Sequence, residues 1–258
     1  MRKAGFARDF FKRYFIDAMS QMALGLFSSL IIGLILSQLS GIPGLAFLKP
    51  MAEMVSASSP VVGAAIGVAI AYGLKVKPLA IFSSAVTGAI GYKLGGPVGA
   101  YLAAVVGAEI GQLIAGKTPV DIVLVPIFTI VSGGLVSMWS GPAIAAGMEA
   151  LGGFINSATE LHPLPMGIIV SVVMGLALTA PISSAAISIS LGLNGLAAGA
   201  AAVGCCAQMI GFAVQSYPDN GVGGLLSQGL GTSMLQFGNI LRKPVIWLPP
   251  TIASAILG

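Results

Sequence analysis

Uncharged apolar runs, separated by short polar breaks, fill this sequence from Met22–Leu39 to the carboxy terminus. That patterning constrains the fold more than any other feature. The mean hydropathy is +0.98, and 56% of residues are hydrophobic against 8% charged. An ordinary soluble domain carries about 25% charge. A chain of 258 residues has no interior large enough to hide so much apolar surface from water, so lipid must be its solvent. A β-barrel would alternate apolar and polar residues in segments of about ten, whereas these runs are continuously apolar and rich in Gly and Ala. The expected fold is an all-α polytopic membrane protein with about nine to eleven transmembrane segments.

Residues 1–17 predict an amphipathic interfacial helix. Phe6, Phe10 and Tyr14, flanked by Phe11 and Phe15, make an aromatic face, while Arg8 and Lys12 lie a turn apart on another. Such a helix rests at the headgroup layer with its basic side on anionic lipid. Arg2, Lys3, Arg8, Lys12 and Arg13 account for most of the net charge of +4. The bilayer explains that cluster directly, and no nucleic-acid partner is expected. Residues 18–40 read as an uncleaved first span, since no small-residue cleavage site precedes them. The positive-inside rule then puts the amino terminus in the cytoplasm.

Further spans are expected near 55–74, 78–92, 95–115, 119–139, 163–180, 181–193, 195–215 and 244–257. Their breaks carry Lys75, Lys77 and Pro78, then Lys93 with Gly95-Gly96-Pro97, then Lys117, Pro119 and Asp121. Connections this short make neighbouring spans antiparallel. Two stretches, 140–158 and 222–241, either cross the membrane or re-enter it, which is tolerated only where protein or water covers the backbone.

The second half also echoes the first. With an offset of 100, Ala80, Ser83, Ser84, Ala85, Gly95 and Gly99 meet Ala180, Ser183, Ser184, Ala185, Gly195 and Gly199. Pro60 and Pro78 fall on Pro163 and Pro181 after a three-residue adjustment. Repeat 1 is placed at 55–158 and repeat 2 at 159–258. If 140–158 crosses, the repeats are inverted and 222–241 crosses as well; if it does not, they run parallel and 222–241 re-enters. The inverted form is taken as the expectation. Internally repeated membrane proteins are most often transporters, with the binding site where the repeats meet.

Glu109 is the sharpest single candidate, with Gln112 one turn later on nearly the same face. A carboxylate at membrane depth costs at least about 2.5 kcal/mol and faces a partner or an aqueous cavity. Glu109 is either a solute-hydroxyl acceptor or proton carrier, or, near the helix end, it pairs with Lys117 or snorkels to the interface. Gln208 occupies the related place in repeat 2. It serves either the solute or helix packing. Pro78 with Ser83 and Ser84, and Pro181 with Ser183 and Ser184, start helices whose amides and hydroxyls can receive a polar solute or merely cap. Asn194 stands at a turn. His162, the single histidine, sits near Glu160 at a span boundary, either as an interfacial residue or, with that Glu, as a ligand for a sugar hydroxyl. Cys205 and Cys206 read as small packing thiols. No catalytic set, metal site, nucleotide loop or cofactor motif is expected.

Three blocks carry a family resemblance: Pro181–Gly199 with Gly204-Cys-Cys-Ala-Gln-Met-Ile-Gly-Phe, then Gly223–Gln236, then Lys243-Pro-Val-Ile-Trp-Leu-Pro-Pro. They resemble the bacterial phosphotransferase-system enzyme IIC type 2 membrane family, which includes perfringolysin-regulator-like proteins. The resemblance implies a multi-pass permease of the bacterial plasma membrane, holding a small polar solute such as a sugar. Phosphoryl chemistry would then reside on separate IIA and IIB proteins, whose domains are not found in these residues. The carboxylate and histidine motifs of better-studied sugar IIC proteins are not found either, so no site residue carries over. The alternative from the same resemblance is a membrane sensor that binds a ligand or lipid without transporting it. Small-residue faces make a homodimer an expectation.

Overall fold

The computed structural model describes residues 9–180, 184 and 193–258. These residues are 87% helical and contain no strand. Among the described residues four helices are long and apolar enough to cross a membrane: α1 (Asp9–Ser40), α4 (Pro78–Ile114), α5 (Asp121–Thr159) and α7 (Gly195–Gln215). Shorter apolar helices are α3 (Pro60–Gly73), α6 (Pro163–Thr179) and α10 (Pro244–Leu257). Small helices α2 (Lys49–Met54), α8 (Tyr217–Leu226) and α9 (Phe237–Arg242) complete the order. The chain is an all-α polytopic membrane protein. It divides into two compact units, Met1–Ile144 and Ala145–Gly258.

Helix α1 runs through the expected junction at 17/18 without a break. The wider π-helical turns Lys12–Ala18 and Phe27–Ile31 interrupt its α-helical pitch. Residues 1–8 of the expected interfacial helix lie outside the described residues.

Helix α4 is two antiparallel limbs rather than one rod. Its turn is Gly95-Gly96, with Gly96 at φ +58 and ψ −150, a conformation that only glycine adopts without strain. A Cβ on Gly91 would overlap the carbonyl of Gly99, yet a straight helix separates those positions by about 12 Å. At the far end the Lys77 amide donates to Gln112 Oε1 at 2.7 Å, and Lys77 Nζ donates to the Ala115 carbonyl at 2.6 Å. Each limb is about 26 Å long at 1.5 Å per residue, close to the bilayer's hydrocarbon thickness of about 30 Å. The expected spans 78–92 and 95–115 correspond to these limbs. Small residues let backbones approach where lipid gives no hydrophobic drive between helices. Gly67 meets the Ser84 carbonyl across the α3 contact, and a Cβ on Gly133 would lie 2.7 Å from the Ala103 carbonyl.

Residues 140–158 continue the helix that begins at Asp121. Asp121 starts it by accepting from Thr118 N at 3.0 Å, from Thr118 Oγ1 at 2.6 Å and from the Gly116 amide. In the second unit α6 and α7 cross where a Cβ on Gly204 would overlap the Ser171 carbonyl. The apolar core there includes Ile155, Val170, Met174 and Ala201.

Between α7 and α10 the chain is irregular. Helix α8 is broken at Gly221 (φ +57), a π-helical turn covers Ser227–Gly231, Thr232 is extended, and a 3-10 turn follows at Ser233–Gln236 before α9. Gln228 Nε2 donates to Ser216 Oγ at 2.8 Å, and Ser216, Asn239, Arg242 and Lys243 line one pocket. The segment therefore dips into the unit and returns to the end it left. Of the two readings of 222–241, crossing or re-entrance, this geometry fits re-entrance. The inverted repeat arrangement would put Ser216 and Lys243 on opposite faces of the membrane.

Candidate functional site

In the first unit, helix α1 supplies Arg13 and Tyr14 from its wide first turn, and the second limb of α4 supplies Tyr101 and Glu109. Arg13 donates to Glu109 Oε1 through Nε at 2.8 Å and Nη2 at 2.6 Å, and Tyr14 OH donates to the same oxygen at 3.0 Å. Tyr101 OH donates to the Tyr14 carbonyl at 2.7 Å, locking the turn that carries both donors. Glu109 is thus partnered by Arg13, not by Lys117 as the helix-end reading had it. Gln112 does not join it; its carboxamide oxygen closes the α4 hairpin through Lys77. This cluster consumes its charges internally. Charge-assisted bonds of this kind hold a structure well, and a solute would have to displace Arg13 to use Oε1.

The Ser83 and Ser84 hydroxyls donate to the Leu79 and Ala80 carbonyls of their own helix, at 2.7 Å each. Pro78 does begin α4. Ser183 lies outside the described residues, and Ser184 is helical and half-buried. His162 precedes α6 and accepts the Met166 amide through its carbonyl at 3.0 Å. Asn194 precedes α7 and shares a pocket of about 450 Å³ with Asn156 and Thr159.

The second unit holds a different arrangement around Gln208. The Gly175/Gly204 crossing brings α6 against α7 so closely that a Cβ on Gly175 would lie 2.9 Å from Gln208 Cγ. Gln208, Thr179 and Ser233 are fully buried there. Thr179 Oγ1 lies 3.2 Å from Gln208 Oε1, 2.8 Å from Ser233 Oγ and 3.1 Å from the Gly175 carbonyl. Gln208 Nε2 donates to Thr251 Oγ1 at 3.2 Å, while Thr251 donates to the Trp247 carbonyl at 2.7 Å.

A hydroxyl carries one proton and two lone pairs. Thr179 therefore gives its proton to the Gly175 carbonyl or to Gln208 Oε1, one at a time. In the segment that also supplies Ser233, Gln228 Oε1 is buried with no partner among the described residues. Such acceptors cost about 1–3 kcal/mol each when unmet. The indole N–H of Trp247 is a buried donor with no partner among the described residues as well, and a solute hydroxyl can both donate and accept. Thr179, Ser233, Thr251 and Gln228 were not singled out from sequence. The polar residues Gln228, Thr232 and Gln236 in an otherwise apolar stretch were the available signal, but only the fold shows which of their neighbours meet Gln208. Glu109 and Gln208 belong to different units.

Ile16–Gly258 match a family model described as phosphotransferase system, EIIC. No curated protein matches the chain, and no solved structure does.

Proposed function

The chain belongs to the EIIC family of the phosphotransferase system, and from that premise we propose that this membrane permease binds a small hydroxylated solute, such as a sugar, at the buried Gln208 cluster. The observation that carries the reading is the fully buried polar network of Thr179, Gln208 and Ser233, with Ser233 supplied by the irregular segment between α7 and α10. Irregular backbone at membrane depth is found where it lines a cavity or is covered by protein. Broken helices of this sort build the binding sites of transporters. Solute hydroxyls would donate to Gln208 Oε1 and Gln228 Oε1, and entry would require the segment 227–236 to move.

The remaining parts of the reading follow from the family and the charge pattern. Phosphoryl transfer would reside on separate IIA and IIB proteins, with no chemistry and no cofactor on this chain. The protein would sit in the bacterial plasma membrane with its amino terminus in the cytoplasm, as a homodimer. Purified protein in liposomes, tested against sugars and polyols, should show saturable uptake or binding. Gln208→Ala and Ser233→Ala should each weaken it by about tenfold, the scale of one hydrogen bond. Unchanged affinity in both variants would withdraw the site and leave the permease class standing. Saturable binding without any uptake would favour the sensor alternative.

A further inference from the structure

The mouth of the re-entrant segment forms a second polar pocket of about 390 Å³. That falls within the range of about 300–1,000 Å³ usual for small-molecule sites. Its floor includes Phe212 and Gln236, both buried. Asp219 from α8 and Arg242 and Lys243 at the end of α9 stand on its walls. Among the described residues none of these three charges forms an ion pair. Asn239 Nδ2 donates to Gln236 Oε1 at 2.8 Å, which leaves Asn239 Oδ1 and Gln236 Nε2 for another molecule.

We propose that this pocket binds a phosphate ester carrying hydroxyl groups. Two cations adjacent in the chain match a doubly charged phosphoryl group. The Arg242 guanidinium can bond two of its oxygens at once, and Lys243 adds a compact charge. Membrane-boundary cations alone would explain Arg242 and Lys243, but not a carboxylate and the three carboxamides of Gln215, Gln236 and Asn239 set around the same cavity. A bare anion would be repelled by Asp219 and would leave the carboxamides unused. Hydroxyls resolve both points, because Asp219 and Asn239 Oδ1 accept from them while Gln236 Nε2 donates to them. The proposal goes beyond the Gln208 reading and shares no residue with it.

Such an ester can come from solution or from a lipid headgroup, and the test separates the two. Full-length protein in phosphatidylcholine nanodiscs is titrated with glucose 6-phosphate, glucose and inorganic phosphate; a parallel set of discs contains phosphatidylglycerol. Calorimetry and thermal unfolding are the readouts. Saturable binding of glucose 6-phosphate in neutral discs assigns the soluble ester. Stabilisation by phosphatidylglycerol discs alone assigns the headgroup. In either case the Arg242→Gln/Lys243→Gln double variant should lose at least tenfold in affinity. Asp219→Asn, a substitution at an exposed residue that should fold in any event, should weaken the ester and tighten inorganic phosphate. Gln208→Ala should leave this binding unchanged, so failure of the buried site and failure of this pocket are distinguishable. Three results overturn the proposal: no response to either source, glucose competing as well as its phosphate, or an affinity indifferent to both the double variant and Asp219→Asn.

Discussion

Arg13 reaches Glu109 with two nitrogens, Nε at 2.8 Å and Nη2 at 2.6 Å, and both end on the single oxygen Oε1. A fork-to-fork pair would use both carboxylate oxygens. Here Tyr14 takes a third place on Oε1, and Oε2 has no hydrogen bond among the described residues. The pairing ties the start of α1 to the second limb of α4 inside the first unit.

Removing one partner should therefore hurt more than removing both. Arg13→Met leaves a half-buried carboxylate with only Tyr14, and should lower stability by about 1–2 kcal/mol, less than the figure for a fully buried pair. The Arg13→Met/Glu109→Gln double variant should recover part of that loss. A thermal-unfolding double-mutant cycle measures the coupling. Purely additive losses would mean that the bond contributes nothing.

Gly96→Ala tests the α4 turn. A side chain at φ +58 is strained even though the space around it is open, and the cost should be about 1 kcal/mol. Gly91→Val should cost considerably more, because its Cβ meets the Gly99 backbone, which cannot yield without parting the limbs. Equal unfolding temperatures for the two variants would contradict the hairpin.

The α6/α7 crossing makes a similar contrast within one helix. Gly204→Ala drives a methyl into the Ser171 carbonyl, whereas Gly199→Ala meets nothing within 4 Å. The first should destabilise by several kcal/mol and abolish solute binding by displacing Gln208 from Thr179. The second should be neutral, or slightly stabilising through helix propensity. Unfolding temperature and solute affinity, measured together, check both halves.

Re-entrance of 217–242 has a direct signature in labelling. In a background with Cys205 and Cys206 replaced by alanine, Ser216→Cys and Lys243→Cys should react with an impermeant thiol reagent from the same side of the membrane. Reaction from opposite sides would restore a full crossing, and with it the inverted arrangement.

Much of the architecture could be read directly from residue order. The uncharged runs required lipid, because no domain of this size hides them. Lys93 with Gly95-Gly96-Pro97 marked the α4 turn, and Pro78, Pro163 and Gly195 opened helices where expected. These are local signals, set by backbone freedom and by the cost of charge in a bilayer. Partner choice is not local. Arg13 lies 96 residues from Glu109, and in the sequence it looked like one more cation for lipid headgroups. Gln112 looked like a companion to Glu109, until the doubled-back limb of α4 put the Lys77 amide beside it. Ser233 and Thr251 were ordinary hydroxyls in apolar runs, and only the glycine crossing of α6 and α7 gathered them around Gln208. Composition and spacing determined what the chain dissolves in and where it turns. Tertiary packing decided which polar groups meet, because a hydrogen bond depends on ångström distances that residue order does not encode.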